Sequence, residues 1–334
     1  MSVAHQIVYP DGPLDFPVSL VCPRDKSPLR FDSSRALCAQ GHEYAVLEGI
    51  PILLLSEIDQ THIEGTRSLA AAAAGDAAQL PQFHVQPGEV DPFVQNSISA
   101  TNGSFYQHLV GKLTEYPIPN LRLPETNGKS FLEIGCSWGR WCIAAARKGY
   151  RPTGVDPSLK GIRAAKRVAR QLGIEAQYLV ADGRALPFPD QSFDQVFSYS
   201  VLQHLSKTNA REALRSIRRI LRPKGNCLIQ MPNVFGIRCL YHQARRGFRE
   251  TRDFEVRYWT VRELISSFQE EIGPTQIFVD GYFSLNPQIS DVRFMPARYR
   301  ALVHLSEALS KASTLFRPLV YVADSLYVSA NREK

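Results

Sequence analysis

The sequence predicts an α/β fold: a doubly wound, mostly parallel sheet of seven strands, preceded by a small β-rich ribbon and carrying a helical lid insertion near its end. Three observations predict it. Beyond Asn127, short apolar runs rich in β-branched residues alternate with helical stretches, the pattern of βα units feeding a parallel sheet. The first of those runs passes directly into a turn containing Gly135 and Gly139, and the second ends on an acid, Asp156.

Taken in order, residues 1–56 are Pro-rich, carry Cys22 and Cys38, and end in the apolar run Ile50-Pro51-Ile52-Leu53-Leu54-Leu55, which reads as a small β module. Residues 57–126 hold an alanine run, Ala70 to Ala74, and prolines at 81, 87, 92, 117, 119 and 124 that break longer helices, so this part reads as a linker with short helices. Residues 127–334 form the main domain. Its strands are expected at Ser130–Ile134, Pro152–Asp156, Ala176–Ala181, Phe193–Ser198, Cys227–Met231, Gln276–Phe283 and Ser325–Ala330. A helix from Asn209 to Leu221 places Ala213, Leu214, Ile217 and Ile220 on one stripe, and Arg222-Pro223-Lys224-Gly225 stops it. Within residues 286–324, Leu302, Leu305, Leu309, Ala312 and Phe316 recur at helical spacing, the expected lid.

Composition narrows the class. The chain has 334 residues, with 39 basic against 32 acidic for a net charge of +7. At 44% hydrophobic and 21% charged residues it can bury a sizeable core, which excludes wholesale disorder and collagen-like repetition. Met1 to Ser19 has no basic opening run, and Pro10, Pro13 and Pro17 interrupt the apolar stretch a secretory signal needs. Nor do eighteen consecutive apolar residues occur. Six cysteines are too few for a disulfide scaffold in a chain of this length. A cytoplasmic protein is expected.

The chemistry concentrates in Phe131-Leu132-Glu133-Ile134-Gly135-Cys136-Ser137-Trp138-Gly139-Arg140-Trp141, a strand running into a glycine turn and then a helix. Glycine at 135 and 139 lets a ligand approach backbone, and the N–H groups opening the helix favour electron-rich ligand atoms. Asp156 ends the next strand 156 − 135 = 21 residues later, close to the spacing of the acid that grips ribose hydroxyls in dinucleotide folds. A second acid, Asp182, ends the third strand.

Four stretches in this order, Glu133-x-Gly135-x-x-x-Gly139, Gly154-Val155-Asp156-Pro157-Ser158, Ala181-Asp182-Gly183-x-x-Leu186-Pro187-Phe188 and Phe193-Asp194-Gln195-Val196, resemble the class I S-adenosylmethionine-dependent methyltransferases, in the biosynthetic branch that includes quinone-type enzymes. The resemblance covers about Asn127 to Asn233. It departs from the commonest first motif at Ser137, where a middle glycine is usual. The resemblance implies S-adenosylmethionine as cofactor. Glu133, Gly135, Cys136 and Gly139 would lie at its methionine end, Asp156 with Pro157 at the ribose, Asp182 with Gly183 at the adenine, and Ser198 beside the methyl donor. Cys136 would contribute backbone and an inert thiol. His204, just past the fourth strand, is the best-placed general base if the acceptor is a hydroxyl; the alternative is a histidine that packs against the following helix.

In the N-terminal module, Cys22-Pro23-Arg24-Asp25 and Cys38-Ala39-Gln40-Gly41-His42 resemble a zinc ribbon with one thiolate per pair. Cys22, Asp25, Cys38 and His42 would supply four ligands for tetrahedral zinc; the alternative is a degenerate, metal-free ribbon. Two acceptor classes stay open. A small-molecule, lipid or glycan intermediate suits the aromatic stretch at residues 254–260 and the lid. RNA, as rRNA or tRNA, suits the net charge and the ribbon. A non-catalytic cofactor-binding subunit is the third reading. The helix after Asp156, with Lys160, Arg163, Lys166, Arg167 and Arg170, is expected to present a solvated basic face.

Overall fold

The architecture is described by a computed structural model for residues 19–75, 83, 85, 88–283 and 286–333. The export-signal reading of Met1 to Ser19 falls, but for Ser19, outside the described residues, as do Pro81 and Pro87. The N-terminal strands are β1 (Leu29–Phe31), β2 (Arg35–Cys38), β3 (Glu43–Leu47) and β4 (Ile50–Leu53), an antiparallel meander. Helices α1 (Ile63–Ala74) and α2 (Pro92–Asn102) follow. Pro92 starts the second helix, because a proline at the first helical position loses no hydrogen bond and the Asp91 carboxylate caps the Phe93 N–H.

The main domain then alternates β5 (Ser130–Ile134), α3 (Arg140–Arg147), β6 (Arg151–Asp156), α4 (Leu159–Gln171), β7 (Gln177–Ala181) and β8 (Phe193–Ser198). It continues through α5 (Lys207–Ile220), β9 (Leu221–Pro232), α6 (Ile237–Arg245), α7 (Val261–Glu271), β10 (Thr275–Gly281), α8 (Ala297–Leu315) and β11 (Ser325–Asn331). The strand order is β1-β2-β3-β4-β7-β6-β5-β8-β9-β11-β10. β5 pairs in parallel with β6 and β8, and the chain reverses its direction of winding there. β11 runs antiparallel to both β9 and β10.

The expected seven-stranded sheet is therefore corrected to a mixed sheet of eleven. The four extra strands come from the N-terminal module, whose β4 pairs in parallel with β7 through Ile52↔Val180 and Leu53↔Ala181. All four residues of β4 are buried, a pattern that demands cover on both faces, and its pairing removes what would be an open edge at β7.

Three further expectations are revised. Helix α5 ends at Ile220, and the chain passes at once into β9, with residues 222–225 looped out as a bulge around Lys224 at φ 64°. The basic face of α4 is solvated only in part: Arg170 is exposed, but Arg163 pairs with Glu48 at 2.9 Å, Arg167 with Asp91 at 2.6 Å and Lys160 with Glu64 at 2.8 Å. The β3–β4 turn, α1 and the cap of α2 bring those acids across. The helix expected as a lid forms as α8, but rotated. Val303, Ser310 and Ser313 are its buried positions, while Leu305 and Phe316 are exposed. Ser310 donates to the Val279 carbonyl and Ser306 accepts from the Tyr282 N–H, fixing α8 along the end of β10.

Candidate active site

A cavity of about 520 Å³ opens at the carboxyl ends of β5, β6 and β8, where the winding reverses and where open α/β sheets bind ligands. Its floor is the loop from Gly135 to Ser137, with Asp156 to Ser158 on one side and Tyr199 to Val201 on the other. α2 and the turn after it, Ser97 to Phe105, form the roof, so the segment read as a linker supplies a wall. Arg238, His242, Phe254 and Val256 stand on the far side. From residues 286–324 only Asn286 lines the cavity, and α8 does not.

The backbone of the floor explains its sequence. Gly135 has φ 77°, and a Cβ there would sit 2.2 Å from Val201 Cγ2. Gly139 has φ 82°, with a Cβ 2.6 Å from the Tyr178 hydroxyl. Ser137 adopts φ 46°, the left-handed backbone that the usual middle glycine would take without strain. Gly135→Ala is accordingly expected to lose about 2 kcal/mol or more of stability, left-handed strain adding to overpacking. Urea unfolding measures it.

Asp156 organises this loop. Its carboxylate accepts the N–H of Ser137 at 2.9 Å and the N–H of Ser158 at 2.8 Å. Burial pushes its carboxyl up to about 6, against those two hydrogen bonds. Glu133, fully buried beneath the loop, accepts the Cys142 N–H at 2.8 Å, and burial pushes its carboxyl up to about 8. Burial also raises the Cys136 thiol well above its ordinary range, in keeping with an inert side chain.

Of the residues singled out by sequence, Gly135, Asp156 and Pro157 line the cavity, while Glu133 and Cys136 line a narrow cleft that shares Gly135, Ser137 and Tyr199 with it. The others are placed elsewhere. Ser198 is fully buried and donates to the Ile134 carbonyl at 2.9 Å. Asp182 is held by Arg184 in an ion pair of 2.6 Å and, like Gly183 and Gly139, lines neither space. That pairing was legible, since a basic residue two positions on competes for the carboxylate.

His204 does line the cavity. Its ring stacks on Phe254 with centroids 3.8 Å apart, and its Nδ1 lies 2.7 Å from the Phe254 carbonyl. Burial lowers its pKa to about 4, so it is neutral at neutral pH, with Nδ1 donating to the carbonyl and Nε2 accepting from Gln203 Nε2 at 3.3 Å.

Sequence reasoning passed over Arg140, Trp138 and Asn102, which converge on the narrow cleft. Each presents a buried donor without a partner: Asn102 Nδ2, Trp138 Nε1 and Arg140 Nη1. Buried donors are rarely left unpaired, and three around one cleft fit an anionic ligand group. With the glycine floor and the Asp156 carboxylate, this donor set fits the methionine carboxylate and ribose of S-adenosylmethionine.

In the N-terminal module the ligand atoms of Cys22, Asp25, Cys38 and His42 all lie within 4.8 Å of one another. His42 Nδ1 is 3.5 Å from each sulfur and 2.8 Å from Asp25 Oδ2, and Cys38 Sγ is 3.5 Å from the same oxygen. Tetrahedral zinc bonds of about 2.3 Å to sulfur and about 2.0 Å to nitrogen imply a sulfur–nitrogen edge of about 3.5 Å, which both sulfurs match, while His42 and Asp25, at 2.8 Å, would part to about 3.3 Å around the ion.

Residues 131–225 match the methyltransferase domain family. The ubiquinone biosynthesis O-methyltransferase of Aeromonas salmonicida is 33% identical over 138 residues, 38% of this chain and 57% of that protein. The O-methyltransferase resE of Aspergillus sclerotiorum is 34% identical over 156 residues, 46% and 57% of the two chains. The chain thus spans a little over half the length of these curated relatives. Among solved structures, phosphoethanolamine N-methyltransferase 2 of Haemonchus contortus, in complex with S-adenosyl-L-methionine, aligns with a TM-score of 0.47 at 18% identity, over 76% of this chain and 62% of that one. The family match places a methyltransferase domain at residues 131–225.

Proposed function

We propose that this chain, which carries a methyltransferase domain over residues 131–225, transfers a methyl group from S-adenosylmethionine to a small-molecule, lipid or glycan biosynthetic intermediate. One observation carries the reading: a half-open cavity of about 520 Å³ at the switch point of the sheet, floored by the Asp156-organised loop and roofed by α2, a shape suited to a compact acceptor. Helix α4 and Arg211 on α5 offer little to RNA, because Lys160, Arg163, Arg167 and Arg211 are ion-paired within the chain.

In this reading Asp156 accepts the ribose hydroxyls, Gly135 lets the ligand lie against backbone, and Arg140, Trp138 and Asn102 hold the carboxylate. When bound, S-adenosylmethionine supplies a methyl group already activated by its sulfonium. What remains for the chain is alignment, worth up to roughly 7–11 kcal/mol in favourable cases. His204 Nε2 exchanges its long hydrogen bond from Gln203 for that of an acceptor hydroxyl, whose proton it takes as the methyl bond forms. His204→Gln should lower turnover by about 10²-fold, the low end for a general base, with affinity for S-adenosylhomocysteine unchanged. Full activity in that variant would return His204 to packing against Phe254.

The decisive test incubates the protein with methyl-tritiated S-adenosylmethionine and host extract, then separates RNA from small-molecule and organic-soluble fractions. Label outside RNA supports the proposal; ribonuclease-sensitive label overturns it.

The cluster of Cys22, Asp25, Cys38 and His42 is proposed to bind one zinc ion that ties the module together beside β4. Elemental analysis should find about one zinc per chain, lost on Cys38→Ser. A metal-free wild-type protein that melts as one transition would favour the degenerate ribbon.

A further inference from the structure

A group of exposed apolar residues lies beside the cavity mouth. Helix α6 is amphipathic in the reverse sense. Cys239 and Gln243 face inward, while Ile237, Leu240, Tyr241 and Ala244, at the i, i+3, i+4 and i+7 positions of a single stripe, are exposed. Phe235 precedes the stripe, and Phe248, 67% exposed, follows it.

A second exposed group stands next to it at the C-terminal end of α8: Leu315 at 92% exposure, with Phe316, Tyr321 and Val322. The two are joined by direct bonds. Asn233 Nδ2 donates to the carbonyls of Tyr321 and Ala323 at 2.8 and 3.0 Å, and Asp324 Oδ1 accepts the N–H groups of Arg238 and Cys239 at the start of α6. These bonds set the two exposed groups side by side. An apolar surface of this kind marks an interaction site.

Its charge says with what. Residues 234–252 carry five arginines against one glutamate, a balance of 5 − 1 = +4. Among the described residues Arg245, Arg252 and Arg317 form no ion pair. An exposed apolar stripe bordered by arginines is the composition of a helix lying in the interface of an anionic membrane, with apolar side chains among the acyl chains and guanidinium groups at the phosphates. A second copy of the chain fits poorly, because a two-fold contact through this patch would set its arginines against themselves. Among the described residues no helix is long and apolar enough to cross a membrane, so the contact is peripheral.

We propose that α6 and residues 315–322 dock this protein on an anionic lipid surface. Arg238 and His242, on the same helix, line the cavity, so docking sets the cavity mouth beside the bilayer. This deepens the function proposed above toward an amphiphilic acceptor, while the docking itself can be measured without methyl transfer.

The experiment is co-sedimentation of the full chain with vesicles of phosphatidylcholine alone or mixed about 3:1 with phosphatidylglycerol, at low and high salt. The protein should sediment with the anionic vesicles only. Arg245→Gln with Arg252→Gln should reduce binding by about 25-fold, roughly fivefold for each arginine at an anionic surface. Ile237→Asp with Tyr241→Asp should reduce it at least about tenfold. All four positions are exposed and outside the cavity wall, and thermal melting confirms that each variant folds. No binding to anionic vesicles, equal binding by the variants, or a dimer in light scattering that Ile237→Asp abolishes would each overturn the proposal. Vesicle binding with no methyl transfer to any fraction would leave docking in place and remove only the enzymatic reading.

Discussion

Asp156→Ala is expected to weaken S-adenosylhomocysteine binding by about 100-fold, the lower end for removing two hydrogen bonds to a charged group. The carboxylate is half-buried on the cavity wall and its pKa raised to about 6, so the wild-type affinity itself should depend on pH. The sign follows from the hydrogen bonds. Ribose hydroxyls donate, and the ionised carboxylate accepts; as pH falls through about 6 the carboxyl gains a proton and loses acceptor capacity, so affinity should fall with it. Above that pH it should level off. The same oxygens hold the N–H groups of Ser137 and Ser158, so the substitution also loosens the floor of the cavity. Two readouts separate these effects. Loss of loop order lowers affinity at every pH, whereas loss of the titrating acceptor flattens the pH profile. Asp156→Asn, which keeps one oxygen for the Ser158 N–H, should give the flat profile with a smaller loss. Calorimetry at pH 5, 6 and 7.5 tests both variants, and a wild-type profile already flat across roughly that range would dismiss the ribose assignment.

The parts of this site that are local in sequence were legible, and the parts assembled by packing were not. Gly135 and Asp156 announce themselves because strand, glycine turn and acid occur within one βαβ unit, and the structure sets both on the cavity wall. The strands of the main domain were legible for the same reason, each being a short apolar run between turns. By contrast, nothing near Pro92–Asn102 shows that this helix will roof a cavity whose floor begins 33 residues beyond Asn102 (135 − 102 = 33). Nor does Ile50-Pro51-Ile52-Leu53 specify its partner. A fully apolar strand asks for cover on both faces, but only the open edge at β7 decides where it goes. The basic helix α4 misled for a related reason. Lys160, Arg163 and Arg167 sit where a solvated face is expected, and the acids that neutralise them, Glu64, Glu48 and Asp91, all precede the main domain. α8 shows the limit of periodicity: Leu302, Leu305 and Leu309 do lie on a helix, but its buried face is set by Ser306 and Ser310 hydrogen bonds to β10 and the residue after it.

Arg140→Met should remove the distinction between ligands that carry an amino-acid carboxylate and those that do not. Arg140 is buried, its Nη1 has no partner, and Trp138 Nε1 and Asn102 Nδ2 are orphaned beside it in the cleft that runs from the glycine floor. An arginine left this way costs stability unless a ligand completes it, and a carboxylate accepting from all three donors does so with charge-assisted hydrogen bonds. The comparison is between S-adenosylhomocysteine and 5′-methylthioadenosine, which share adenosine and sulfur but differ in the amino-acid group. Wild-type protein should prefer the former, and Arg140→Met should shrink that preference by about 10- to 100-fold, the worth of one hydrogen bond to a charged group. Asp156→Ala should instead weaken both ligands together, because both carry the ribose. The guanidinium also bonds to Tyr106, which in turn donates to Asp291, so part of the loss in stability will belong to that buried network. Arg140→Lys separates the two contributions: it keeps a cation in the cleft while losing the planar fork, and should restore part of the ligand preference. A preference unchanged in Arg140→Met would make this arginine a structural member of the Tyr106–Asp291 network and leave the carboxylate to be held elsewhere.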